Sequence, residues 1–372
     1  LFDAEQPLAG KRNVVYKQSA VARDLLVEIL TALGAIVIPV ERSDTFIPID
    51  TEKIKSDDRR FVELAERYQG DERQPLFALI SADGDSDRPL VVDEQGRFRR
   101  GDVVGIVTAE FLGADEIAVP VSTTDAVRLR VEERQHLRVH KPKIGSPYVI
   151  SAMNEAMAGG ARRVVGWEVN GGFLTGTDFD VNGRRLKALP TRDAMLSILA
   201  TLVSAARRGI TVSQLFDELP PRATHADSIA NFPPETSKAL LRVFSPSDEQ
   251  IVEVDFAEPG VVTVEWLGGR RERLDASGSL AQELLAKQQL LERYFSADEG
   301  FGEIQHIEYV DGVRMRFANG DIALMRPSGN APELRSLSDS DTQARADEIV
   351  ALAIREPDGI YRRMEQALRI EQ

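Results

Sequence analysis

Asp83-Gly84-Asp85-Ser86-Asp87-Arg88 sets three carboxylates at alternate positions, spaces them with small residues and closes on an arginine. The apolar run Leu76-Phe77-Ala78-Leu79-Ile80 leads in and Pro89-Leu90-Val91-Val92 leads out, so a strand is expected to run into a tight acidic turn. Two unit charges about 4 Å apart repel by about 1 kcal/mol in water and about 4 kcal/mol at an effective dielectric of about 20. Three converging carboxylates therefore require a cation among them. All-oxygen ligands with open positions suit Mg²⁺, which keeps room for phosphate oxygens. Asp83, Asp85 and Asp87 are read as the ligands of that metal.

A calcium loop is the sharpest rival, because Asp83, Asp85, Asp87 and Glu94 fall at the first, third, fifth and twelfth positions of an EF-hand. Its sixth position requires glycine and holds Arg88, and strands flank the loop where helices should stand.

Two further loops carry chemistry. Arg326-Pro327-Ser328-Gly329-Asn330-Ala331-Pro332-Glu333-Leu334-Arg335 follows an expected strand ending at Met325. Its proline and glycine bracket a turn with consecutive backbone N–H groups, Ser328 and Asn330 add donors, and Arg326 and Arg335 add charge. Such a concavity suits phosphate, and an ordinary Pro/Gly turn with a solvated arginine is the alternative. The other loop, Glu168-Val169-Asn170-Gly171-Gly172, follows Trp167; its carboxylate and amide could grip vicinal sugar hydroxyls, and a plain turn is equally compatible. Trp167 itself is read as a packing residue. His136 and His140, four apart, lack the glutamate of a H-E-x-x-H metal motif, and His225 and His306 are read as surface or capping residues.

The elements that must position these loops form a repeating pattern. A helix over residues 22–33 ends at Gly34 and precedes a strand over 36–40; a helix over 103–112 ends at Gly113 and precedes a strand over 117–121. The strings LGAIVIPV and LGADEIAVPV suggest duplicated α/β units, with a weaker third copy over 149–165. Further strands are expected over 13–16 and 77–80. Helices are expected over 57–68, over 191–208 with Thr191 as N-cap, and over 212–219. Beyond Pro233-Pro234 the texture changes to antiparallel strands over 261–266, 304–309, 313–317 and 322–325, turned at Asp311-Gly312 and Asn319-Gly320, with a closing helix over 342–354. The expected fold is α/β: two similar three-layer α/β/α mixed-sheet domains, then a smaller α+β domain with an antiparallel sheet.

Composition narrows the function. The 372 residues allow two or three domains, and 42% hydrophobic with 28% charged residues is ordinary for a soluble globular chain. No apolar run approaches the roughly 18 residues of a membrane span. Cysteine is absent, which suits a cytoplasmic home. The net charge of −14 argues against a nucleic-acid partner, so a phosphorylated ligand must be held by local arginines and backbone amides.

The order of the three loops resembles the α-D-phosphohexomutase superfamily, particularly its phosphomannomutase/phosphoglucomutase branch. Its members carry a metal loop D-G-D-x-D-R, a sugar loop G-E-x-S-G-H and a phosphate loop R-P-S-G-T-E-P. Asp83, Asp85, Asp87 and Arg88 match the first, and Glu168 matches the second, with Asn170 where serine is usual and Gly172 where histidine is usual. Arg326, Pro327, Ser328, Gly329 and Pro332 match the third, with Asn330 for threonine and Ala331 for glutamate. Lys143-Ile144-Gly145 resembles the family's K-x-G segment, whose lysine lies in the active site.

The resemblance implies an intramolecular phosphotransferase that interconverts hexose 1- and 6-phosphates of mannose or glucose, through a phosphoserine and a bisphosphorylated sugar. Mg²⁺ would sit on Asp83, Asp85 and Asp87. Arg88 and Lys143 would be catalytic. Glu168, Asn170, Gly171, Arg326, Ser328, Gly329, Asn330 and Arg335 would bind substrate. The alternatives are a non-catalytic phosphosugar-binding relative and a phosphoglucosamine mutase. The family's T-A-S-H-N-P-type serine loop does not occur here. The chain is therefore expected to begin at the family's second domain, near Lys11-Arg12-Asn13, to be a monomer or dimer, and to be inactive alone. The corresponding domains are expected over 1–100, 101–235 and 236–372.

Overall fold

The computed structural model describes residues 6–52, 54, 58–134, 137–329 and 331–371 of the chain. Two compact units divide it, Leu1–Pro220 and Pro221–Gln372. Asp57, His136 and Asn330 lie outside the described residues.

The first unit repeats one connectivity twice. In its first sheet the strand Arg12–Gln18 lies between parallel neighbours, Ile36–Arg42 and Gln74–Ala82, and the latter pairs antiparallel with Pro89–Asp93. In its second sheet Glu116–Ala118 lies between parallel neighbours, Arg138–His140 and Val164–Trp167, and the latter pairs antiparallel with Phe173–Thr175. Loops 83–88 and 168–172 thus occupy equivalent places, each between the last parallel strand and the first antiparallel one. In such sheets, ligands gather at the carboxyl ends of the parallel strands.

Period-two alternation gives each strand two apolar faces. Val14, Tyr16, Leu79, Leu90 and Val92 pack with Phe61, Leu64 and Ala65 of the helix Arg59–Arg67. The intervening Val15, Ile80 and Val91 face a layer of three helices, Arg23–Ala32, Gly101–Leu112 and Ala194–Arg208. The second sheet turns Ile117, Val165 and Trp167 to that same layer, and Ala118, Val164 and Leu174 to the helix Ser146–Ala158. One helical layer is therefore common to both sheets.

Three expectations shift. The two similar strings are not topological equivalents: the first leads into an edge strand, the second into a central one. Pro39 is tolerated inside the edge strand Ile36–Arg42, whereas the central strand stops at Ala118, two residues before Pro120. Proline has no N–H to donate to a ladder, so it is tolerated where the side its nitrogen faces is unpaired. The helix expected from Thr191 begins at Ala194. Thr191 lies in the strand Leu189–Asp193, and the Asp193 carboxylate is the N-cap, accepting from the N–H groups of Met195 and Leu196 at 3.0 Å each.

The second unit is an eight-stranded sheet in which every pairing is antiparallel, with helices packed on it through Phe244, Leu291, Ile349 and Tyr361. Its first strand, Ala223–Ala230, and its partner, Glu333–Ser340, carried no strand signal in the sequence. The α/β class with an antiparallel C-terminal sheet is borne out. Among the described residues, no helix is long and apolar enough to cross a membrane.

His306 departs from the surface role expected of it. Its side chain, 12% exposed, stands 3.5 Å from Asp255 and 3.7 and 3.8 Å from Glu308 and Glu253; Glu308 also pairs with Arg314. Burial alone would lower the imidazole pKa, but the surrounding carboxylates of Asp255, Glu308 and Glu253 outweigh it and raise it. A raised folded-state pKa adds stability that is complete below about 6.5 and is lost as pH rises through the folded value. Urea unfolding from about pH 6 to pH 9 is therefore expected to show wild type losing stability relative to His306→Gln. A constant difference across that range would remove the imidazolium from this network.

Candidate functional site

The acidic loop is built around one carboxylate. Asp83, at the end of the strand Gln74–Ala82, is 6% exposed, and its Oδ1 accepts the N–H groups of Asp87 and Arg88 at 3.1 Å each. Its backbone N–H donates to Arg88 O, and Ser86 takes a left-handed φ of 65° to turn the chain. The turn gathers Asp83, Asp85 and Asp87, with one ligand oxygen from each lying within 4.8 Å of the others; Asp83 is buried, Asp87 half-buried and Asp85 exposed. Burial pushes the Asp83 carboxyl up to about 6, with the charges of Asp85 and Asp87 adding to it; Asp87 is raised as well, mainly by burial. Asp87 Oδ1 is buried and accepts no hydrogen bond among the described residues. Crowded, desolvated carboxylates with an unused oxygen fit a hard divalent cation.

Arg88 lies beside them, its Nε 3.5 Å from Asp83 and 3.6 Å from Asp87. Glu94, the fourth ligand of the calcium-loop alternative, accepts the N–H of Ser213 and is no part of this cluster.

The second loop reaches the same place. Gly171, at φ 90°, lets the chain pass so close to the acidic loop that an added Cβ would stand 2.9 Å from Pro89 Cγ. Glu168 is 8% exposed and accepts the Ser146 hydroxyl at 2.6 Å. Asn170 is 4% exposed and turned to structural work: its Oδ1 accepts Gly172 N–H, its Nδ2 donates to Glu52, and its carbonyl accepts the Thr51 hydroxyl. Lys143 is exposed, two residues before the N-cap of the helix Ser146–Ala158.

One residue that no motif announced joins the two loops. Arg192 places Nη2 2.5 Å from Asp87 Oδ2 and Nη1 3.7 Å from Glu168 Oε2. Its isolated position in Leu-Pro-Thr-Arg-Asp gave no signal. Ser146 and Glu52 likewise enter only through space.

In the second unit, the third loop is the tip of a hairpin between Ile322–Pro327 and Glu333–Ser340. Arg326 and Arg335 face each other across it, with the Arg326 Nε 3.1 Å from Asp311 and Arg335 exposed. Ser328 is buried, its N–H donating to Glu333 O, and Gly329 is exposed at the tip.

Residues 100–223 match the family model for phosphoglucomutase/phosphomannomutase, alpha/beta/alpha domain III. A phosphomannomutase of Salmonella muenchen is 35% identical over 344 residues, covering 92% of this chain and 61% of the relative. The chain thus carries a match to this family's domain III and is similar to phosphomannomutases over most of its length.

The solved structures agree in fold. A phosphoglucomutase/phosphomannomutase family protein from Burkholderia thailandensis superposes with a TM-score of 0.60 at 15% identity, over 96% of this chain and 61% of that one. An N-acetylphosphoglucosamine mutase from Aspergillus fumigatus, in complex with GlcNAc-6P and magnesium, gives 0.54 at 15% identity, over 98% and 63%. The chain thus spans about three fifths of the length of these relatives. Compared with the motifs quoted above, the acidic loop matches throughout, and the second loop carries Asn170 and Gly172 beside Arg192.

Proposed function

We propose that this chain is the metal-, sugar- and phosphate-binding part of a hexose phosphate mutase that interconverts mannose or glucose 1- and 6-phosphates. The observation that carries the reading is the convergence of Asp83, Asp85 and Asp87 beside Glu168 at the carboxyl ends of equivalent strands. The 35% identity to a phosphomannomutase, and the magnesium named with a structural neighbour, support it.

Asp83, Asp85 and Asp87 would hold Mg²⁺, which supplies Lewis-acid neutralisation of a phosphoryl oxygen. Arg88 and Lys143 would stabilise negative charge on the transferring group; phosphoryl transfer needs positioning and charge neutralisation more than covalent help from the protein. Glu168, with the backbone of Asn170 and Gly171, would orient sugar hydroxyls. Arg326, Ser328, Gly329, Asn330 and Arg335 would hold the phosphate that is not reacting. The serine that carries the phosphoryl group lies, in this reading, outside the 372 residues. Three domains over 1–100, 101–235 and 236–372 are part of the same proposal, as is a cytoplasmic setting, which the absence of cysteine supports. The pairing of Ala223–Ala230 with Glu333–Ser340 argues for drawing the second boundary at Pro220-Pro221.

A ³¹P-NMR assay of the full-length protein with mannose 1-phosphate and glucose 1-phosphate tests the activity. Conversion to the 6-phosphates is expected. Binding without conversion would instead favour a phosphosugar-binding relative, and turnover confined to glucosamine phosphate would move the substrate. In that assay Arg326→Ala is expected to raise KM by about tenfold or more with kcat little changed, since it removes binding common to ground and transition states. An unchanged KM would take the hairpin out of the phosphate site.

A further inference from the structure

Arg192 sits in the first unit with three constraints on it. Its backbone ends the strand Leu189–Asp193, which is pinned on one side by pairing of Asp193 with Phe173 and on the other by the Asp193 cap of the following helix. Its guanidinium is held at both ends, by Asp87 at 2.5 Å and Glu168 at 3.7 Å. Its aliphatic stem occupies the room beside Gly172: a Cβ added there would stand 2.5 Å from Arg192 Cδ and 2.8 Å from Cγ. Contacts that short do not occur, so any side chain at position 172 and Arg192 in this pose are mutually exclusive.

A guanidinium has five N–H donors in a rigid fork, and two carboxylates do not exhaust them. The Arg192 side chain is 28% exposed. We propose that Arg192 is a specificity-determining cation of the hexose phosphate site, seated by Gly172, aimed by Asp87 and Glu168, and bonding an anionic or hydroxyl oxygen of the bound sugar phosphate. The inference rests on the hexose phosphate reading above. It places a cationic contact beside the second loop on a strand about twenty residues downstream of it.

Isothermal titration of the 372-residue chain with mannose 1-phosphate and glucose 1-phosphate, at saturating Mg²⁺, tests it, with Mn²⁺ binding followed separately by electron paramagnetic resonance. Arg192→Ala is expected to weaken sugar phosphate binding by about tenfold or more, as for a lost charge-assisted bond. Mn²⁺ binding is expected to be no weaker than in wild type, because a cation beside Asp87 has gone. Arg192→Lys, which keeps the charge but not the fork, is expected to recover only part of the loss. Gly172→Ala should weaken sugar phosphate binding in the wild-type background and do little in Arg192→Ala.

Unchanged sugar phosphate binding by Arg192→Ala overturns the inference alone. So does a parallel loss of Mn²⁺ and sugar phosphate affinity with a lowered Tm, which marks a purely structural arginine. An equal effect of Gly172→Ala in both backgrounds overturns the seating by glycine. Wild type that binds Mn²⁺ but neither sugar phosphate overturns the hexose phosphate reading and this inference with it.

Discussion

Asp85→Ala is expected to cost more than about a hundredfold in Mn²⁺ affinity and about a thousandfold or more in mutase turnover, with the thermal unfolding curve unchanged. The three acidic residues are not equivalent as targets. Asp83 holds the turn together through the N–H groups of Asp87 and Arg88, so its loss would confound ligand removal with loop collapse. Asp87 anchors Arg192. Asp85 is exposed and contributes an oxygen to the cluster without a structural hydrogen bond of its own among those described. Loss of a group that merely orients a metal ligand typically costs about 10- to 100-fold in affinity, so loss of a ligand itself should exceed that. A thousandfold in rate corresponds to about 4 kcal/mol of transition-state stabilisation, within reach of one Lewis acid on a phosphoryl oxygen. Electron paramagnetic resonance with Mn²⁺ and ³¹P-NMR turnover of the full-length protein give the two numbers. Retention of wild-type metal binding by Asp85→Ala would falsify the metal assignment.

What could be read from the sequence was whatever chemistry lay in a single stretch. The acidic loop announced itself because its three carboxylates, its tight turn and its flanking strands are contiguous from Leu76 to Val92. Helix ends were readable where glycine followed an apolar stripe, as at Gly113, whereas the cap expected at Thr191 is supplied by Asp193. The strands Ala223–Ala230 and Glu333–Ser340 were not, because small polar residues such as Thr224, Ser228, Ser336 and Ser338 have little intrinsic preference. Pairing decides them instead: Glu333–Ser340 lies between Ile322–Pro327 and Ala223–Ala230, and the latter finds its partner across about a hundred residues of chain. Arg192 was invisible for the same reason in another form: its partners Asp87 and Glu168 belong to different sheets, and only the doubled topology brings them together. Asn170 shows the converse. Its motif position suggests a sugar contact, but its amide is already engaged by Gly172 and Glu52. His306 looked like a surface residue because the carboxylates around it come mainly from a neighbouring strand.

Gly105→Ala is expected to destabilise the first unit by about 3 kcal/mol, the opposite of what helix propensity alone would give. In an exposed helix the change would be worth about 1 kcal/mol in favour of alanine. Here, however, Gly105 faces the indole of Trp167, and an added Cβ would stand 2.3 Å from Nε1 and 2.4 Å from Cε2. One turn earlier Gly101 meets the loop itself, where a Cβ would come within 2.1 Å of Gly171 N. The helix Gly101–Leu112 therefore lies on the second sheet through two glycines four residues apart. Trp167 has nowhere to retreat: it is fully buried, stacked on Phe173 at a centroid distance of 5.7 Å, and donates its indole N–H to Asp102 O at 3.1 Å. Overpacking a rigid core costs about 1–3 kcal/mol, and loss of a buried hydrogen bond adds about 1 kcal/mol, so the steric cost outweighs the propensity gain. Because Glu168 is the next residue, the same displacement should shift the sugar-binding loop, weakening sugar phosphate binding more than Mn²⁺ binding. Urea titration followed by tryptophan fluorescence, with an unchanged m value and a lowered midpoint, would register the first effect. A midpoint at or above that of wild type would mean that the helix approaches the sheet less closely than these glycines allow.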